Sequence, residues 1–382
     1  MRGVALNAQE LQFVGALDLE QGKRGVSPRR LPAWTKAQFN APAMDMMVGM
    51  PSGVRLRFDT DADAVSVTAE VTTIVYQGSL PRTTQFTVVV DGVIGESQPV
   101  TTPHVFLLDR FDPTKVEFVE GATTVVTFAG LGTHSKTIEV WLPQNARVEV
   151  SGISVSDGAT IARTPENSLP RWVHYGSSIS HCMEATEPTG TWPAVAARLS
   201  RAELTSLGFA GQCHLDQYVA RTVRDMEFDI FTMKVGINVV NLDSMRERTF
   251  APALHGFLDT VRDGHPHTPI CVISPIYCAS AETKPGPTLP GKDGKYFTLD
   301  RTASESFGCL SLTQMRNVIR GVVESRVAAG DMNLSYHDGL QLFGQDDAGD
   351  MPHDLHPNAA GYQRMGERFH QQVLSQLVQR VS

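Results

Sequence analysis

The stretch Val173-His174-Tyr175-Gly176-Ser177-Ser178-Ile179-Ser180 sets the interpretation of the C-terminal part of this 382-residue chain. An apolar run leads into a glycine and two consecutive serines, and a segment of helical character follows at 190–199. In a strand–turn–helix context, a serine hydroxyl can stand at the end of a strand, where a positioned base can activate it. A plain Gly-Ser turn that caps a helix would look the same, so the stretch needs support from the rest of the chain.

After about residue 165, short apolar segments alternate with longer segments of helical spacing. This alternation predicts a mostly parallel sheet covered by helices on both faces. Active sites in such folds lie at the carboxyl ends of the strands. The predicted strands lie at 172–175, 203–207, 230–235, 270–275 and 334–337, and the predicted helices at 190–200, 214–224, 250–263, 310–329 and 358–380.

Residues 54–155 instead show alternation with period two, as in Val54-Arg55-Leu56-Arg57-Phe58. The dipeptide Asp91-Gly92 after an apolar run is a hairpin turn signal. These features predict an antiparallel β-sandwich, jelly-roll-like, that serves as a scaffold or lid. Residues 1–50 carry few periodic signals, so we expect an irregular lead-in. We place the domains at 1–165 (β-sandwich accessory domain) and 166–382 (α/β domain).

Composition excludes several classes of protein. The net charge is −8, and the chain lacks a dense Lys/Arg run, which argues against nucleic acid and anionic membranes as partners. We find no apolar stretch long enough to span a bilayer and no secretory h-region, so we expect a cytoplasmic protein. The five cysteines are odd in number and form no C-x-x-C pair, which favours reduced thiols and neither disulfides nor zinc. We therefore predict no metal and no resident cofactor.

Polar residues or glycines follow several of the predicted strands. A serine acyl enzyme needs a nucleophile, a base, a group that orients the base, and donors for the oxyanion. Ser178 is the candidate nucleophile, and Gly211 and Asn238 can offer an N–H and a side-chain amide to the oxyanion. His356, in the loop before the last predicted helix, is the candidate base. Each of these residues could instead have a purely structural role, as a turn glycine, a strand-end cap or a helix-entry residue.

Together these residues resemble the GDSL, or SGNH, family of serine esterases and acyltransferases. Gly176-Ser177-Ser178-Ile179 is similar to its first block, Gly211 to its second, Gly236-Ile237-Asn238 to its third and His356-Pro357 to its last. The resemblance spans about residues 172–370 and implies a flavodoxin-like three-layer α/β/α domain. It also implies an oxyanion hole formed by the Ser178 N–H, the Gly211 N–H and the Asn238 side chain.

Two positions depart from the family pattern. Val239 follows Asn238 where the family usually has Asp, and His353 stands three residues before His356 where Asp is usual. Asp354 lies one residue later, and we choose it as the orienting acid. The alternative is a backbone carbonyl that holds the His356 ring.

The long segment 277–308 is rich in Gly and Pro and includes Pro290-Gly291-Lys292-Asp293-Gly294, so we interpret it as a substrate-facing flap. Tyr277, His181 and His353 are the candidate substrate-binding residues.

The two-domain arrangement resembles a bacterial subgroup of the family. That resemblance implies transfer of an acyl group from a thioester, with acyl-CoA as a possible co-substrate, to an alcohol on a small natural product of the tetracycline type. The alternatives are a carboxylesterase or deacetylase and a catalytically dead binding module. The expected partners are thus a small-molecule acyl donor and an alcohol acceptor, and the oligomeric state is left open.

Overall fold

We analysed a computed structural model that describes residues 1–39, 41–109, 112, 115–291 and 294–381. The chain divides into two compact units. The first comprises Met1–Ser168 and Met183–Gly190, and the second comprises Leu169–Cys182 and Thr191–Ser382. A short segment downstream of the Gly-Ser-Ser stretch therefore folds with the first unit.

The described part of the first unit contains two β-sheets and one short α-helix. The elements are β1 (Arg2–Val4), β2 (Gln12–Val14), β3 (Asp18–Gln21), β4 (Val26–Arg29), α1 (Pro42–Val48), β5 (Arg55–Thr60), β6 (Val65–Tyr76), β7 (Gln85–Val90), β8 (Val93–Pro99), β9 (His104–Leu108), β10 (Val116–Val119), β11 (Thr124–Phe128), β12 (Lys136–Trp141), β13 (Ala146–Val155) and β14 (Ile161–Ala162). The larger sheet has the strand order β10-β9-β6-β13-β4-β3, with β1 paired to β13 and β11 paired to β6. The smaller sheet has the order β14-β5-β12-β7-β8, with β2 paired to β5.

The inward side chains of both sheets form one apolar core, which explains the period-two alternation of the sequence. Leu56 and Phe86 come from one sheet and Val67 and Val148 from the other, and all four are buried. The predicted antiparallel β-sandwich is thus confirmed, although β6 and β9 pair in parallel.

The expectation of an irregular lead-in at residues 1–50 was wrong. This region supplies β1, β2, β3, β4 and α1, and three of these strands join the larger sheet. The strands are only three or four residues long and are largely half-buried or exposed. Strands that short leave too few alternating positions for a periodic signal.

The second unit is built around a five-stranded parallel sheet. Its strands are β15 (Arg171–Gly176), β16 (Glu203–Gly208), β17 (Ile230–Lys234), β18 (Ile270–Ile273) and β21 (Leu334–His337), and a separate antiparallel pair is formed by β19 (Thr288–Pro290) and β20 (Tyr296–Thr298). The order of the parallel strands in the sheet is β16-β15-β17-β18-β21. Numbered along the chain this is 2-1-3-4-5, so the flavodoxin-like prediction is confirmed.

Helices cover both faces of the parallel sheet. On one face Trp172 stacks against Phe369 with ring centroids 5.6 Å apart, and on the other Tyr175 stacks against Phe257 at 5.4 Å. The helices are α2 (Ser178–His181), α3 (Trp192–Ser200), α4 (Gln217–Asp225), α5 (Ile237–Leu242), α6 (Glu247–Gly264), α7 (Leu312–Ala328), α8 (Gly339–Leu342), α9 (Ala359–Phe369) and, after the π-helical turn His370–Leu374, α10 (Ser375–Val381).

The strand order reverses at β15, because the chain goes on from there to β16 on one side and later to β17 on the other. Ligand crevices in open α/β sheets form outside the carboxyl ends of the strands at such a point. The turn after Gly176 therefore lies where a site is expected. Among the described residues, no helix is both long and apolar enough to cross a bilayer.

Candidate active site

The two consecutive serines in the turn after β15 have different surroundings. Ser177 is the N-cap of α2, and its buried hydroxyl accepts a hydrogen bond from the Ile179 N–H at 3.3 Å. Ser178 is the first residue of the helix and is half-buried, so its hydroxyl is available at the edge of the sheet. A side chain at Gly176 would place its Cβ 2.2 Å from the Ser180 Oγ, and this explains the glycine before the serines.

His356 meets Ser178 across the carboxyl end of the sheet. The distance between its Nε2 and the Ser178 Oγ is 2.8 Å, which is within hydrogen-bonding range. The loop that carries His356 is fixed at the start of α9, where the Asn358 side chain accepts from the Gly361 N–H at 2.9 Å. The Asn358 N–H in turn donates to the Asp350 carbonyl at 2.7 Å. The structure thus brings the predicted nucleophile and base together.

Two of the predicted oxyanion donors follow β16 and β17, the strands on either side of β15. Gly211 has a left-handed φ of +71°, and nothing lies within 4 Å of the position that a Cβ would occupy. Asn238 is buried in α5, and its Oδ1 accepts from the Cys213 N–H at 3.1 Å. Because the amide oxygen is used in this way, the Nδ2 group is left as the donor. At Gly236 a Cβ would lie 2.6 Å from the Met315 side chain, so the turn before Asn238 requires a glycine.

His181 lies inside the second unit rather than on its surface. Its side chain is completely buried, and its Nδ1 accepts from the Ala210 N–H at 3.4 Å. The ring therefore supports the turn that carries Gly211. A role for His181 in substrate binding stays a prediction.

Asp354 and His353 lie at a sharp turn of the His356 loop. Asp354 has a left-handed φ of +57°, so the loop changes direction at this residue. The Asp354 carboxylate pairs with the Lys295 Nζ at 3.3 Å, and its carbonyl accepts from the Cys278 thiol at 2.9 Å. His353 is exposed, and its carbonyl accepts from the Tyr296 N–H at 3.2 Å. The assignment of Asp354 as the orienting acid stays a prediction.

The segment 277–308 is more ordered than a loop. It contains β19 and β20, which pair antiparallel, whereas residues 292 and 293 lie outside the described part of the chain. Tyr277, at its start, is half-buried, and its N–H donates to the Phe343 carbonyl at 3.0 Å. Sequence reasoning missed Tyr296, whose ring lies perpendicular to the His356 ring with centroids 6.2 Å apart. No motif marks Tyr296, because it lies in a segment dominated by Gly and Pro.

Two buried basic groups, His174 and Lys234, lie in the strands beneath the site. His174 bridges the hydroxyls of Ser180, at 2.8 Å from Nε2, and Thr232, at 2.7 Å from Nδ1. Burial, reinforced by the charge of Lys234, lowers the pKa of His174 to about 3, so the ring is neutral. Burial likewise lowers the pKa of Lys234 to about 8, and its Nζ makes no hydrogen bond within the described structure.

No group of three or more His, Cys, Asp or Glu side chains in the described ranges is arranged to hold a metal ion. The five cysteines are all buried, and none of them forms a disulfide.

Comparison with known families gives one match in each of the two units. Residues 170–285 match the GDSL-like Lipase/Acylhydrolase family, and residues 11–149 match the N-terminal domain of SsfX3. The family resemblance drawn from the four sequence blocks is thus confirmed. No curated protein sequence matches the chain.

Several solved structures are similar over most of the chain. The salicylyl-acyltransferase SsfX3 from a tetracycline biosynthetic pathway matches with a TM-score of 0.83 and 25% identity, over 100% of this chain and 99% of that one. A protein from Bacteroides ovatus described as a GDSL-like lipase matches with a TM-score of 0.68 and 22% identity, over 97% and 96%. A family two carbohydrate esterase from Clostridium thermocellum matches with a TM-score of 0.58 and 17% identity, over 85% and 93%. The last two likenesses concern the fold alone.

Proposed function

Because the chain joins a domain of the GDSL-like lipase/acylhydrolase family to an N-terminal domain of the SsfX3 type, we propose that it catalyses serine-dependent acyl transfer. The observation that carries the proposal is the 2.8 Å contact between the Ser178 Oγ and the His356 Nε2. A catalytically dead binding module would have no need to keep a nucleophile and a base at this distance.

In the first half-reaction, the Ser178 Oγ attacks the carbonyl carbon of a thioester while His356 Nε2 accepts the hydroxyl proton. The negative charge that develops on the carbonyl oxygen is stabilised by the Ser178 N–H, the Gly211 N–H and the Asn238 Nδ2 group. The C–S bond then breaks, and the thiol leaves with the proton that His356 returns. The product is a serine ester of the acyl group.

In the second half-reaction, an alcohol binds where the thiol has left, and His356 removes its proton. The alcohol oxygen bonds to the acyl carbon, the bond from that carbon to the Ser178 Oγ breaks, and Ser178 recovers its proton. Asp354 is the proposed orienting group for His356, with a backbone carbonyl as the alternative.

We propose a CoA thioester as the acyl donor and a hydroxyl of a small natural product as the acceptor. The support is the likeness, over the whole chain, to a salicylyl-acyltransferase from a tetracycline pathway. Water in place of the alcohol would make the same acyl-enzyme a carboxylesterase, so transfer and hydrolysis differ only in the second half-reaction.

The test is to form the acyl-enzyme with an acyl-CoA and then titrate an alcohol acceptor. We expect ester product to increase with acceptor concentration at the expense of free acid. Free acid alone at every acceptor concentration would show a hydrolase, and no thiol release with any acyl-CoA would contradict the proposed donor.

A further inference from the structure

We propose that Tyr296 is a positioning residue for His356, and that the β19–β20 pair holds the His356 loop in line with Ser178. The proposal rests on the proposed function, since it assumes that His356 activates Ser178. It concerns a segment outside the four sequence blocks, and no residue of that segment is part of the proposed catalytic set.

Contacts from β20 and the residue before it reach three residues of the His356 loop, at positions 353, 354 and 356. The Tyr296 N–H donates to the His353 carbonyl at 3.2 Å, and the Lys295 Nζ pairs with the Asp354 carboxylate at 3.3 Å. The Tyr296 ring then lies at 88° to the His356 ring. The loop is therefore held by its backbone, by a charge and by the ring of the proposed base itself.

The two faces of the β19–β20 pair have different surroundings. Thr288 and Thr298 are cross-strand partners that are buried, and Tyr296 shares their face because side chains alternate along a strand. Leu289 and Phe297 are partners on the opposite face, and their side chains are 41% and 46% exposed. Only the face that carries Tyr296 can therefore support His356. The exposed face, which carries Phe297, offers positions for control substitutions.

The aromatic contact is expected to contribute more than the ion pair. The Lys295 side chain is 58% exposed, and pairs at such exposure are weak and screened by salt. A perpendicular aromatic pair with this centroid separation restricts the orientation of the His356 ring directly. If the whole interaction energy of the pair stabilises the transition state, its loss changes the rate by about two- to tenfold.

The experiment measures covalent labelling of Ser178 by a fluorophosphonate, with kinact and KI determined separately. Tyr296→Leu removes the ring, Tyr296→Phe keeps it, and Phe297→Ser changes the exposed face of the same strand. We expect Tyr296→Leu to lower kinact by about two- to tenfold with KI unchanged, and the other two variants to behave like the wild type. Circular dichroism and thermal unfolding establish that each variant is folded, and Tyr296→Met replaces Tyr296→Leu if the latter does not fold.

A wild-type kinact in the variant without the ring would overturn the proposal. So would an equal loss in Phe297→Ser, since that would show general disturbance of the strand pair, and so would an equal loss in Tyr296→Phe. Failure of the proposed function is distinguishable, because the wild type itself would then not be labelled.

Discussion

The sharpest prediction concerns Asn238, because its two amide atoms have different tasks. Its Oδ1 accepts from the Cys213 N–H at 3.1 Å and so holds the turn after Gly211, whereas its Nδ2 is the proposed donor to the oxyanion. Asn238→Ala removes both, and Asn238→Asp keeps the acceptor but replaces the donor. The pair of variants therefore separates the structural task from the catalytic one.

The two losses have different magnitudes and appear in different measurements. Removal of one oxyanion donor costs about 2.7–4 kcal/mol in the transition state, which is about 100- to 1000-fold in kcat. Removal of the partner of a buried N–H costs about 1–3 kcal/mol in the free energy of unfolding. Asn238→Ala should show both effects, and Asn238→Asp should keep the Cys213 contact yet lose at least as much kcat.

The assay is steady-state turnover of an activated ester, with urea unfolding of each variant as the measure of stability. We expect kcat to fall in both variants while KM changes little. If Asn238→Asp kept kcat within about threefold of the wild type, Asn238 would be only a strand-end cap, since one lost oxyanion donor costs far more.

Three further predictions concern neighbouring groups. Ser178→Ala should abolish turnover, whereas Ser177→Ala, which removes only a helix cap, should keep much of the turnover and lose about 1 kcal/mol of stability. Activity and unfolding assays check this, and the reverse pattern would refute the assignment of Ser178 as the nucleophile. Asp354→Asn should reduce kcat strongly and His353→Ala weakly, and near-full activity in Asp354→Asn would favour a backbone carbonyl as the orienting group. Because the pKa of His174 is lowered to about 3 in the fold, the unfolded chain binds its proton first as pH falls below the ordinary value of 6.5. Its contribution to stability is therefore complete above that pH and is lost on acidification, by about 2 kcal/mol between pH 7 and 5. His174→Gln should lack this part of the pH dependence in urea unfolding, and an unchanged slope would contradict it.

The second unit was predicted well because its pattern is long and local. Buried parallel strands produce continuous apolar runs, and α7 shows one apolar face over 17 residues. Since the carboxyl ends of parallel strands share one edge of the sheet, the prediction of parallel strands was enough to bring Ser178, Gly211 and Asn238 to the same edge.

The parts that were missed depend on contacts between segments distant in the chain. The strands β19 and β20 are three residues each, and the surrounding Gly and Pro residues conceal any alternation. The loop at Asp354 turns left-handed, and no local pattern distinguishes that turn from an extended segment. Tyr296 acquires its place beside His356 only through these two features.

The measurement that tests the central claim most directly is the intact mass of the protein after incubation with a panel of acyl-CoAs and activated esters. We predict a mass increase equal to one acyl group, located by peptide mapping on Ser178 and absent from Ser178→Ala. A wild-type protein that gains no mass with any donor, or that carries the acyl group on another residue, would contradict the account.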